Sequence, residues 1–262
     1  MMSIRSSAVA GMFYSSDPCE LQADVEELLQ HAEIDNEQPK AIIAPHAGYI
    51  YSGPVAANAY ASFYKQHIPI ERIVLIGPAH RVGFNGIAAS SADYFSTPLG
   101  EVPVDHDSLK DCLNDGSVKY FDSAHEHEHC LEVQLPFLQR IFEQYFKIAP
   151  LVVGQASPSQ VADVLRELWG GTETLIVISS DLSHYHDYKT ATQLDKKTTS
   201  LIEQFDGDEL DYESACGRLP IQGLLIVAKE LGLKCKTIDL RNSGDTAGPQ
   251  DRVVGYGAYA FY

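Results

Sequence analysis

The chain has 262 residues, of which 45% are hydrophobic, 21% charged and 10% aromatic, a composition that excludes disordered and fibrous classes and allows a large core. Its 19 Lys and Arg face 36 Asp and Glu, and the net charge of −17 repels phosphate backbones, so nucleic acid is not an expected partner. No run reaches the roughly 18 to 20 apolar residues of a membrane span, and the opening MMSIRSSAVAGMFYSSDP has no signal-peptide core; the expectation is a cytoplasmic protein without a membrane partner. Five scattered cysteines without a CxxC pair are expected to be reduced thiols, each read as a small buried hydrophobe.

In chain order, helical periodicity covers 20–33, a short apolar strand follows at 41–44, and a second helix is expected over 54–64. Strand 72–76 comes next, then an amphipathic helix over 131–145, strand 148–153, helix 159–169, strand 174–178, and helices over 189–205 and 221–231. The last segment, 252–262, is strand-like. Alternation of strand and helix predicts a mostly parallel sheet with helices on both faces. No repeat or linker interrupts it, so a single domain is expected.

Three polar motifs follow directly on expected strands: PHAGYIYSG at 45–53, GPAHR at 77–81 and SSDLSHYH at 179–186. Ligands of open α/β sheets bind at the carboxyl ends of strands, so these motifs can share a pocket. Pro45 favours extended geometry at Ala44, and Gly48 and Gly53 allow turns before a helix that Pro54 would begin, which puts His46 at a strand tip. His80 stands at the next tip. A helical turn after strand 174–178 would place Asp181 and His184 on one side. Each residue alone reads as a cap or packing group, but their joint placement at strand ends points to a metal-binding pocket, and spacing does not choose among iron, copper and zinc. In HEHEHCLEVQLPFL (125–138), His125 and His127 read as a solvated loop, whereas His129 and Glu132, at a helix start, are pocket candidates. Asp245, in the glycine-rich NSGDTAG, reads either as a turn former or as a further carboxylate for the pocket.

These motifs, together with RSSAVAGMFY (5–14), CGRLPI (216–221) and the terminal VVGYGAYAF, occur nearly end to end in the order of the MEMO family, which the chain resembles. The resemblance implies the fold of class III extradiol dioxygenases, a three-layer α/β/α sandwich around a mostly parallel or mixed sheet, with a non-haem metal at its edge loops. It implies that His46 and His80 are metal ligands, that Asp181 and His184 line the same cavity, and that His129 and Glu132, with Tyr49 of the first motif, stand on the substrate side. Animal members offer a cysteine near the last strand as third ligand. This chain has none there, and Asp245 is expected to substitute, hardening the site in favour of Fe(II), with copper or zinc as the alternatives.

Two functions follow. One is a metal-dependent oxidoreductase resembling the dioxygenases, in which His184 acts as acid and base beside Asp181. The other is a non-catalytic regulatory protein whose pocket recognises a small-molecule or peptide ligand. Phosphopeptide capture ranks low, because Arg81 is the one arginine near the pocket motifs.

Overall fold

The computed structural model describes residues 2–33, 37–64, 69–142 and 146–262. A short strand, β1 (Ile4–Arg5), precedes α1 (Pro18–Gln30), whose start is fixed by Asp17 accepting from the backbone N–H groups of Cys19 and Glu20 and by Pro18 in the first turn. Leu21, Val25 and Leu29 recur every four residues, and all three are buried. β2 (Ala41–Ala44) follows, then α2 (Tyr49–Tyr60) with a 3-10 turn over Ala61–Phe63, and β3 (Arg72–Pro78). The helix expected to begin at Pro54 begins at Tyr49. Pro54 lies inside it, where position six lacks only one amide donor, and Gly53 serves close packing against Leu28 of α1 rather than a turn.

Sequence patterning did not single out the next stretch, which forms β4 (Ile87–Ala89), β5 (Tyr94–Thr97), β6 (Gly100–Pro103), α3 (Lys110–Asn114), β7 (Val118–Tyr120) and α4 (Ser123–Glu126). The helix expected over 131–145 is a 3-10 turn, Glu132–Gln134, running into α5 (Leu135–Ile141); positions 143–145 lie outside the described residues. Then come β8 (Lys147–Val153), α6 (Pro158–Leu168) with a Ser157/Gln160 capping box, β9 (Thr174–Ser179), β10 (His184–His186), α7 (Tyr188–Gln204), α8 (Arg218–Glu230), β11 (Cys235–Asn242) and β12 (Val253–Phe261).

The sheet runs β10-β12-β2-β9-β3-β8-β4-β7, with β11 also on β12. Its centre, β2-β9-β3-β8, is parallel, and antiparallel strands flank it on both sides, so the sheet is mixed. A separate small sheet is ordered β1-β5-β6. Alternate residues of the central strands divide the core in two. Ile42, Ile73, Leu75 and Val177 pack with α1, α2 and α5, while Ile43, Val74, Ile76 and Ile178 pack with α6 and α8. That is the three-layer α/β/α sandwich. Ala44 pairs with Ser179 and Ile76 with Ile178, so β2, β9 and β3 end at one edge, and the three polar motifs emerge there together. Among the described residues, no helix is long and apolar enough to cross a membrane.

Candidate metal centre

At that edge His46, His80 and Cys216 each present one donor atom, and the three atoms lie within 4.8 Å of one another. His46 follows β2 and is fully buried; its Nε2 is 3.4 Å from Cys216 Sγ. His80 follows β3, and the two histidine rings stand edge to face with centroids 5.1 Å apart.

The hydrogen bonds around the two imidazoles fix which nitrogen is free. Ser179 donates its hydroxyl proton to the Cys130 carbonyl (2.6 Å) and accepts from the Gln134 amide (2.9 Å). Its remaining capacity, 2.9 Å from His46 Nδ1, is as an acceptor, so Nδ1 carries the proton and the Nε2 lone pair points toward Cys216. Gln134 is itself held by Tyr60, whose hydroxyl donates to the amide oxygen (2.8 Å), and by the Pro45 carbonyl (2.9 Å). For His80 the partner is Glu128, whose carboxylate accepts from the His80 backbone N–H (2.6 Å) and lies 2.9 Å from Nδ1. Burial pushes Glu128 up, but the hydrogen bonds and charge of His80 outweigh it and hold the carboxyl at about 2, so Glu128 is an ionised acceptor and His80 Nε2 is left for a ligand. Burial, reinforced by the neighbouring His80, pushes His46 well below the usual histidine range and keeps it neutral.

Cys216 reaches the cluster from the turn before α8. A Cβ on Gly217 would lie 2.6 Å from the Ser180 side chain and 3.0 Å from the Ser179 carbonyl, so only glycine lets α8 start this close to the end of β9. The sulfur accepts from the Asp181 backbone N–H at 3.3 Å. Burial, with the Asp181 carboxylate adding to it, pushes the thiol up to about 12. Asp181 is buried with its carboxylate on the His46 backbone N–H (2.7 Å), and burial raises its pKa.

The structure brings His46, His80, Asp181 and His129 together and adds Cys216 and Glu128, which the sequence reading passed over. His129 stacks on His80 with centroids 4.7 Å apart, and burial, then the neighbouring His46, lowers it to about 4. Its Nδ1 lies 3.2 Å from Glu128 Oε1 but is not aligned for a hydrogen bond. His184 sits on β10 rather than on a helical turn and is partly exposed.

Three expectations are corrected. Asp245 is not at the cluster: its carboxylate closes a capping box on the Asn242 N–H (2.9 Å) and accepts from the Tyr188 hydroxyl (2.6 Å), which is the turn-forming alternative. Glu132 is fully buried and occupied, pairing with Arg5 and accepting from the N–H groups of Ala8 (2.7 Å) and Val9 (3.0 Å) and from the Tyr14 hydroxyl; it anchors the N-terminal segment. Tyr49 is core, with its hydroxyl spent on the Val133 carbonyl (2.7 Å). The expected solvated loop also divides: His127 is exposed, but His125 is buried with Nε2 on the Ala88 carbonyl.

A family profile described as Memo-like protein matches residues 5–260. The chain belongs to that family. A MEMO1 family protein of Saccharolobus solfataricus is 35% identical over 98% of this chain and 99% of its own length, and one of Aquifex aeolicus is 38% identical over 97% and 98%. In this chain the CGRLPI segment (216–221) delivers a cysteine to the cluster at the start of α8.

The donors fit a transition metal. Two imidazoles whose Nδ1 atoms face Ser179 and Glu128, and one cysteine sulfur, suit iron, copper or zinc, and do not suit magnesium or calcium, which require oxygen ligands.

Proposed function

We propose that this protein is a metal-dependent oxidoreductase of the Memo-like family in which His46, His80 and Cys216 hold iron or copper. The observation that carries the reading is the convergence of these three donor atoms within 4.8 Å, with Ser179 and Glu128 setting both imidazoles in the ligating tautomer. The thiolate makes the donor set softer than one completed by Asp245, so the argument for iron over copper from a carboxylate ligand no longer applies. Such a metal would supply Lewis acidity and one-electron redox chemistry.

The chain's own residues supply the rest. The thiol proton, held up to about 12 by burial and Asp181, must leave when the sulfur ligates, so metal uptake releases a proton and strengthens as pH rises. Asp181, whose carboxylate lies 4.0 Å from His46 Nε2, and the partly exposed His184 of the adjoining strand β10 are assigned as proton carriers for a bound substrate.

The test is metal analysis of anaerobically purified protein. The wild type is expected to hold close to one equivalent of iron or copper, and Cys216→Ser to lose most of it while Cys235→Ala keeps it. Equal metal in the two variants would exclude Cys216. For the reaction, the metal-loaded protein should consume oxygen with a reducing aromatic substrate, and His184→Ala should stop turnover with the metal retained. No uptake across a broad panel would leave the non-catalytic, ligand-binding role.

A further inference from the structure

Among the described residues, most arginines of this acidic chain sit on carboxylates: Arg5 on Glu132, Arg72 on Asp105, Arg140 on Glu26, Arg166 on Glu230 and Arg241 on Asp239. Arg218 does not. Its guanidinium stacks over the ring of Tyr212, 3.8 Å from the centroid, and Tyr212 is 84% exposed. Stacking uses the face of the guanidinium and leaves its N–H edge for a planar oxyanion.

Arg218 lies two residues beyond Cys216, in the first turn of α8, and both residues line a cavity of about 460 Å³. That volume falls within the roughly 300 to 1,000 Å³ of small-molecule sites. Phe84 and Pro220 supply apolar wall, and Gln155 supplies an exposed side-chain amide. Among the described residues, no Asp or Glu lines the cavity, although the chain carries a net charge of −17. An anion entering here meets one cation and no lining carboxylate, whereas most of the surface repels it.

We propose that this cavity binds a small planar carboxylate, an aromatic or otherwise unsaturated acid, with Arg218 gripping the carboxylate and the ring packed against Phe84 on the Cys216 side. The inference rests on the metal-centre reading in naming the class of molecule that would occupy the space beside it, but the binding itself needs no metal.

Full-length protein and the Arg218→Gln and Arg218→Lys variants, each checked for melting temperature and metal content, are titrated with sodium benzoate and with neutral benzamide and followed by amide NMR. Benzoate is expected to give saturable shifts at Gly83, Gly154 and Gln155, with affinity reduced roughly tenfold or more in Arg218→Gln, as loss of a charge-assisted hydrogen bond implies. Arg218→Lys, which keeps the charge but not the fork, should fall between. Benzamide should bind weakly and equally to all three proteins. Absence of saturable benzoate binding, equal affinity in wild type and Arg218→Gln, or benzamide binding as tight as benzoate overturns the proposal. Wild-type protein that binds benzoate in this way but retains no metal would sink the metal-centre reading alone, and metal without benzoate binding would sink the carboxylate site alone.

Discussion

Removing the Ser179 hydroxyl isolates what the tautomer of His46 contributes to metal affinity. In Ser179→Ala, His46 Nδ1 loses its acceptor at 2.9 Å and the Cys130 carbonyl loses its donor at 2.6 Å, while Gln134 keeps its bond to the Pro45 carbonyl. Redistribution of the imidazole between two equal tautomers would reduce the ligating form only about twofold. The larger effect is that the metal-bound protein must hold Nδ1–H in a fully buried place without a partner, a cost of about 1 to 3 kcal/mol. At 1.4 kcal/mol per decade, that is a loss of roughly 5- to 150-fold in affinity, which overlaps the 10- to 100-fold usual for partners of ligating histidines. The assay is competition against a chromophoric chelator. Thr199→Val, which removes a buried hydroxyl bonded to Tyr259 (2.7 Å), is the control for a general loss of stability and should leave affinity unchanged. The reasoning is refuted if Ser179→Ala binds within twofold of wild type, or if Thr199→Val weakens binding as much.

Asp245→Asn should retain full metal, since this carboxylate caps Asn242 and not the cluster; loss of metal in the desalted variant would return Asp245 to the donor set. Glu132→Gln leaves Arg5 without its buried counter-charge and should cost about 3 kcal/mol or more in chemical denaturation, with early amide exchange at Ala8 and Val9. His125, lowered to about 4 by burial, stays neutral when folded but takes a proton near 6.5 when unfolded. Its contribution is therefore complete above about pH 6.5 and lost as pH falls toward 4, by about 3 kcal/mol in all. His125→Gln should flatten the acid limb of the melting-temperature profile, and an unchanged limb would show that other groups set it.

The central strands were legible because β2, β3, β8 and β9 are buried on both faces, and burial on both faces leaves a continuous apolar run that no surface helix shares. β4 and β7 were not, since three residues of each pair across the sheet and their stability comes from partners far along the chain. β10 was misjudged for a related reason. Asp181 and His184 have helical spacing, but His184 and His186 pair with Val254 and Val253, and this long-range pairing overrides the local signal.

The site divides along the same line. His46 and His80 were legible because each follows a strand in the same chain segment, so local order alone puts them at the sheet edge. Cys216 was not, because nothing in its own segment brings it there. It arrives through Gly217, whose missing side chain lets α8 close on Ser180, a contact between positions far apart in the chain. The cue was present as a cysteine followed by glycine at a helix start, but a lone cysteine also reads as a small buried hydrophobe. Glu128 was hidden differently. Among alternating His and Glu it has the composition of a solvated tract, and only the fold turns it inward, where Arg5 donates to its carbonyl and to that of His125, tying this turn to the N-terminal segment that Glu132 anchors. A residue's place at the sheet edge can therefore be read from sequence when its own strand delivers it. A residue delivered by another segment's packing, as Cys216 and Glu128 are, becomes visible only once that packing is known.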